Sequence, residues 1–215
     1  VAILSRLLDA GLENLSTTLI KMGEIAENAV VTSIEGFLNG IDVINKVRSL
    51  SEALVSMRRK VEDDAFELIA RYQPVASDLR ILKSYMKIAY DLERYGRYAL
   101  DISFDHKTFA KLEKGVLVDY KLEQLAEKVA KMVHMSITAL KGHDAKLSKK
   151  LAGIENEVDE LYMNVLKQFS RMPIRTKSLI SNVLVVRYLE RIADHATYIG
   201  ESLVYIATGD RVILR

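Results

Sequence analysis

The stretch Val186–Tyr205, VRYLERIADHATYIGESLVY, decides how the rest of the chain is read. Its apolar residues Leu189, Ile192, Ala193, Ala196, Ile199 and Leu203, with Ile206 just beyond, recur at steps of three and four. They therefore line one face of a helix. Glu190, Asp194, Thr197 and Glu201 fall on the opposite side. Glu190 and Asp194 are one turn apart, a spacing at which like charges cost about 0.2–0.5 kcal/mol. An isolated pair of this kind is most simply a solvated face, so its weight depends on whether it has a counterpart elsewhere.

Outward from this stretch, helix breakers are scarce: 2 prolines and 10 glycines in 215 residues. With Leu, Ala, Lys and Glu abundant, the chain reads as nearly all helix. Apolar stripes place helices over about Leu4–Leu38, Asp42–Arg71, Val75–Ser103, Asp119–Leu140, Asp144–Phe169 and Pro173–Thr208. Asn39-Gly40, Lys141-Gly142 and Thr208-Gly209 are C-terminal stops, where a left-handed residue is easily placed. Pro74 and Pro173 each open a long helix. Between Phe104 and Val118 the pattern breaks.

The two halves match. Ser33-Ile34 precedes Gly40 as Ser136-Ile137 precedes Gly142, and Leu92-Glu93-Arg94 corresponds to Leu189-Glu190-Arg191. Long helices joined by short turns are antiparallel neighbours. The expected architecture is all-α: six long helices in two tandem three-helix bundles set end to end. The first bundle covers 1–104, a linker 105–118 and the second bundle 119–215.

Composition narrows the function classes. Lys plus Arg total 31 against 29 Asp plus Glu, so no global field draws the protein to nucleic acid. No cysteine is present, which excludes disulfides and thiolate metal sites and leaves oxygen or imidazole ligands. No apolar run approaches the roughly 18 residues of a membrane span, and the N-terminal segment reads as an amphipathic helix rather than a signal peptide. The expectation is a cytoplasmic protein without membrane insertion. The chain begins at Val1 rather than Met, which leaves room for an upstream segment.

The counterpart of Glu190 and Asp194 is on the middle helix of the second half, where Glu155 and Asp159 form another pair one turn apart. If the two helices are antiparallel neighbours, four carboxylates face one another and repel unless a cation or basic side chains sit between them. Such hard oxygen donors suit Fe, Mn, Mg or Ca and can take Zn. The first half has Ser51 and Val55 at the matching middle-helix positions, then Glu93 and Arg97. Arg97 is expected to supply a cation beside Glu93, so Glu93 is at most a remnant of a metal motif.

Three segments carry a family resemblance. RYQPVASDLR at 71–80, DLERYGR at 91–97 and ERIADHATYIGE at 190–201 resemble the repeated motifs of the PhoU family of phosphate-uptake regulators. The resemblance covers essentially the whole chain, and three motifs in order at the family's spacings are specific. It implies two three-helix bundles whose E/D-x-x-x-D motifs bind iron or zinc. The matching positions are Glu155, Asp159, Glu190 and Asp194, in the second bundle only. It also implies a homodimeric, non-enzymatic adaptor. Such an adaptor negatively regulates phosphate transport and homeostasis through the cytoplasmic parts of the phosphate ABC transporter, a sensor histidine kinase, or both. Tyr198 stands where the family commonly has Asn.

Weaker candidates are read as structural. His195 is expected at the surface, away from the acidic face. His106, His134 and His143 have no partner at ligand spacing, and Lys146, Lys149 and Lys150 are solvated charge. Of Tyr72, Tyr85, Tyr90, Tyr95 and Tyr98, most are expected in core or groove packing and some on a partner-facing surface. No Ser-His-Asp order, glycine-rich phosphate loop or anion pocket is legible. The rival readings are an oxidase or hydrolase holding a metal on the four carboxylates, and a purely structural helical module.

Overall fold

The computed structural model describes residues 2–109, 120–171 and 176–214, which form six helices, their short connections and a C-terminal tail after 208. These are α1 (Ala2–Asn39), α2 (Ile44–Tyr72), α3 (Ala76–Phe109), α4 (Tyr120–Gly142), α5 (Ala145–Phe169) and α6 (Thr176–Thr208). The apolar stripes become the core: Leu15, Leu19, Met22, Ala29 and Val30 of α1 are buried, as are Val47, Leu54, Val61 and Ala65 of α2. The α1–α2 turn is set by Gly40, whose φ of 71° costs least for a residue without a Cβ. At the α4–α5 turn the left-handed residue is His143 (φ 47°), one position beyond the expected Gly142. Asp144 then caps α5, accepting from the N–H groups of Lys146 at 2.8 Å and Leu147 at 2.9 Å.

Two expectations change. First, α3 does not stop at Ser103 but continues to Phe109, so 105–109 is helix; the rest of the expected linker lies outside the described residues. The apolar stripe fails there because this turn buries polar groups, Ser103, Asp105 and His106. The reading of Pro173 as a helix opener also lies outside the described residues. Pro74 precedes α3 by two positions rather than occupying its first turn.

Second, the bundles lie side by side and not end to end. α1, α2 and α3 pack together, as do α4, α5 and α6, and the two sets join along α3 against α6 and α1 against α4. The α3–α6 seam is antiparallel: Arg80 Nη2 donates to the Ile206 carbonyl, Asp91 meets His195, and Tyr98 stacks on Tyr188. Tyr95 of α3 crosses to α4, its hydroxyl 3.0 Å from Ser136 Oγ, with the ring fully buried. The duplication shows in detail. Ser33 and Ser136, both buried, donate to the carbonyls three residues back, at 2.8 and 2.7 Å.

Candidate functional site

The acidic positions read from the sequence lie where α5 packs on α6. Glu155 and Asp194 are buried, Glu190 is half-buried and Asp159 is exposed. The helical stripe puts Glu155 inward between Leu151 and Val158, both buried, while Asp159 falls one step round toward solvent. α6 also supplies the countercharge. Arg187 Nη1 lies 2.8 Å from Glu190, and Arg191 lies 3.5 Å from Glu190 and 2.8 Å from Asp194. Burial raises the Glu190 carboxyl above its ordinary range, Asp194 and Asp159 push the same way, and the two arginines pull against them. The two guanidinium groups thus pull against the effect of Asp194 and Asp159, and the Glu190 carboxyl still lies above its ordinary range.

The fit to a metal follows from these surroundings. Among the described residues, no group of three or more histidine, aspartate or glutamate side chains is arranged to hold an ion. Glu190 and Asp194 already hold guanidinium groups, so an ion would have to displace Arg187 and Arg191. As arranged, the four acids are not a ready-made cation site.

At the equivalent place in the first bundle, Ser51 is buried and Glu93 is bridged to Arg58 of α2, which also holds Glu62 at 2.6 Å. Arg97 does not serve Glu93; it turns to Asp101 at 3.7 Å. The neutralising cation comes from the neighbouring helix, a partner that in-helix spacing cannot reveal.

His195 is the residue most misread from sequence. It is buried in the α3–α6 seam, with Nδ1 2.8 Å from Asp91 Oδ1. Asp91 Oδ2 accepts from Lys87 at 3.1 Å, and the rings of Tyr198, Tyr98 and Tyr90 surround the imidazole at 5.3–6.2 Å. The surface expectation assumed one buried face for the last helix, whereas α6 packs against α3, α4 and α5. Asp91 and His195 flank the two repeated Leu-Glu-Arg motifs, and a two-fold reading of those motifs is the signal that pairs them. Of the tyrosines, Tyr85 and Tyr95 are core, and burial raises both phenols.

Two halves with matching motifs and an antiparallel seam agree with what known proteins show. The PhoU domain model matches twice, at residues 19–105 and 122–203, one match per bundle. The chain belongs to the PhoU family. A phosphate-specific transport system accessory protein PhoU homolog of Pseudomonas putida is 30% identical over 97% of this chain and 84% of its own length. The homolog of the same name from Clostridium acetobutylicum is 29% identical over 97% and 98%. The crystal structure of PhoU from Pseudomonas aeruginosa superposes with a TM-score of 0.89 at 26% identity, covering 94% of this chain and 99% of that one. The PhoU fold of two tandem helical bundles is therefore established here, and no helix among the described residues is long and apolar enough to cross a membrane.

Proposed function

We propose that this protein is a regulator of phosphate transport, a non-enzymatic adaptor that restrains uptake by contacting a phosphate ABC transporter, its sensor kinase, or both, at the cytoplasmic face. The observation that carries the reading is the family match in both halves, together with relatives named as accessory proteins of a phosphate-specific transport system along nearly the whole chain. The shape supports it physically. An adaptor needs a long surface that keeps its form, and two bundles locked along α3–α6 and α1–α4 provide one. Against the oxidase or hydrolase reading, Glu190 and Asp194 are already engaged by arginines.

Iron or zinc at Glu155, Asp159, Glu190 and Asp194 is the second part of the proposal. Its support is four carboxylates, hard oxygen donors, on adjoining helices, with Asp194 and Asp159 close enough to Glu190 to push its carboxyl upward after burial. Metal analysis of the purified protein tests it. Asp159→Asn with Asp194→Asn should abolish bound metal at unchanged helicity, and full metal content in that double variant overturns the assignment.

The adaptor reading is tested by affinity capture of the tagged protein from its own cells, grown with scarce and then plentiful phosphate. Recovery of a phosphate transporter or its kinase, changing with phosphate, is the expected result. Recovery of neither under both conditions contradicts it.

A further inference from the structure

Where α6 ends, the chain turns at Gly209 and lies back along the helix: the Leu214 N–H donates to Glu201 Oε1 at 3.1 Å, and Leu214 is buried. This return brings Arg211 to 5.7 Å from the Tyr205 ring, and Arg80 of α3 lies 5.9 Å from the same ring. Between the tail, α3 and α6 is a cleft of about 250 Å³. Lys83, Lys87 and Arg211 line it, together with the hydroxyl-bearing Ser84 and Ser202. Its one acid, Glu201, is engaged by the Leu214 amide. Lys87 pairs with Asp91. Among the described residues Lys83, Arg80 and Arg211 have no carboxylate partner, and the buried Nε of Arg80 has no hydrogen-bond acceptor.

The opposite end of the same seam is the control that duplication supplies. On the register set by the two Leu-Glu-Arg motifs, Ser181 corresponds to Ser84 and Asp105 to Ser202, but Ile180 replaces Lys83 and Leu184 replaces Lys87. Polar side chains occur at both ends, and Arg80 corresponds to Lys177, whereas Lys83 and Lys87 have no basic counterpart. Core packing alone gives no reason for three cations to converge there, since like charges in a cleft repel.

We propose that this cleft binds the phosphate group of a small phosphate-bearing ligand. Three cations with two hydroxyls match a multiply charged tetrahedral oxyanion better than a lone carboxylate, with lysines acting as point charges and arginine as a fork. The volume is at the small end of ligand pockets, about 300–1,000 Å³, which fits inorganic phosphate or a compact phosphate ester. Because α3 belongs to the first repeat and α6 to the second, the ligand bridges the bundles and its binding raises the melting temperature. The proposal stands apart from the regulatory reading and does not depend on it.

Isothermal titration of the full chain tests it with inorganic phosphate, AMP and succinate. Saturable binding of inorganic phosphate alone identifies the free anion, and tighter binding of AMP identifies an ester; either supports the proposal. Lys83→Gln with Arg211→Gln, both exposed positions, should weaken binding by roughly tenfold or more per cation removed. Lys83→Gln alone gives the smaller step should the pair fold poorly. Lys121→Gln with Lys167→Gln, in a separate basic groove near the end of α5, should leave binding unchanged. Absence of saturable binding by either phosphate probe, unaltered affinity in the Lys83 and Arg211 variants, or succinate binding as tightly as phosphate overturns the proposal.

Discussion

Glu93 and Glu190 hold the same place in the two repeats, yet each is neutralised from a different direction. Glu93 is clamped by Arg58 from the neighbouring helix α2, which ties the first bundle across a helix interface. Glu190 is held by Arg187 and Arg191 of its own helix, so its salt bridges do nothing to join α5 to α6. The partner position changes with it: small, buried Ser51 in the first bundle, buried Glu155 in the second. The same packing thus carries a cross-helix clamp in the first bundle and an acidic face neutralised within α6 in the second.

The largest expected effect follows from how closely α2 approaches α3. A Cβ on Gly96 would meet Leu54 Cδ1 at 2.5 Å and Ser51 Cα at 3.4 Å, while the second repeat has Ala193 at this place. Gly96→Ala should destabilise by about 1–3 kcal/mol through overpacking, and the reverse change Ala193→Gly by only about 1 kcal/mol. Denaturant midpoints of the two variants compare them directly. Equal losses would mean that the two bundles pack alike.

Next is the clamp itself. Arg58→Ala leaves two part-buried carboxylates, Glu62 and Glu93, without their shared cation. It should cost about 1–2 kcal/mol. Arg187→Ala leaves Glu190 with Arg191 on the same helix and should cost under about 0.5 kcal/mol. A reversed order in chemical denaturation would sink the distinction between cross-helix and in-helix neutralisation.

The seam gives a pH-dependent test. The Asp105 carboxyl is pushed up to about 6, by burial first and by Asp101 next. An acid with a raised folded-state pKa holds its proton more tightly in the fold. Stability is therefore full below about pH 4, falls as pH rises through about 6, and stays lower above. Asp105→Asn should raise stability by about 1 kcal/mol at neutral pH, allowing for solvent screening, and by little in acid. Melting curves across that range check it, and a gain confined to acid would show the sign to be wrong.

A further test is at the Tyr98–Tyr188 stack, which on the two-fold register occupies the place of the Asp91–His195 pair. Tyr98→Phe loses only a hydroxyl that accepts from Arg94 at 2.8 Å. It should cost about 0.5–1 kcal/mol. Removing the imidazole by His195→Ala should cost more, because buried Asp91 loses a partner. Comparable losses would argue that the seam is held by its rings alone.

Much of this was legible in the residues. Stripes such as Leu82, Ala89, Leu92 and Ala99 located α3, and repeated Ser-Ile and Leu-Glu-Arg motifs exposed the duplication. What escaped was whatever depends on a third helix. α3 ran past its apolar stripe because Asp105 and His106 bury polar groups against other elements. His195 lay off the expected face because α6 is packed on three sides. Arg58 and Glu93 are far apart in the chain, and the basic cleft draws on α3, α6 and the tail together. Periodicity reports one helix face at a time, and sites between three segments lie beyond it.

The most direct test of the regulatory claim is uptake of radiolabelled phosphate by cells with and without this protein, first starved of phosphate and then replete. The account predicts that cells lacking it keep taking up phosphate when replete, and that restoring the chain restores the restraint. Identical uptake in both strains under both conditions would contradict it.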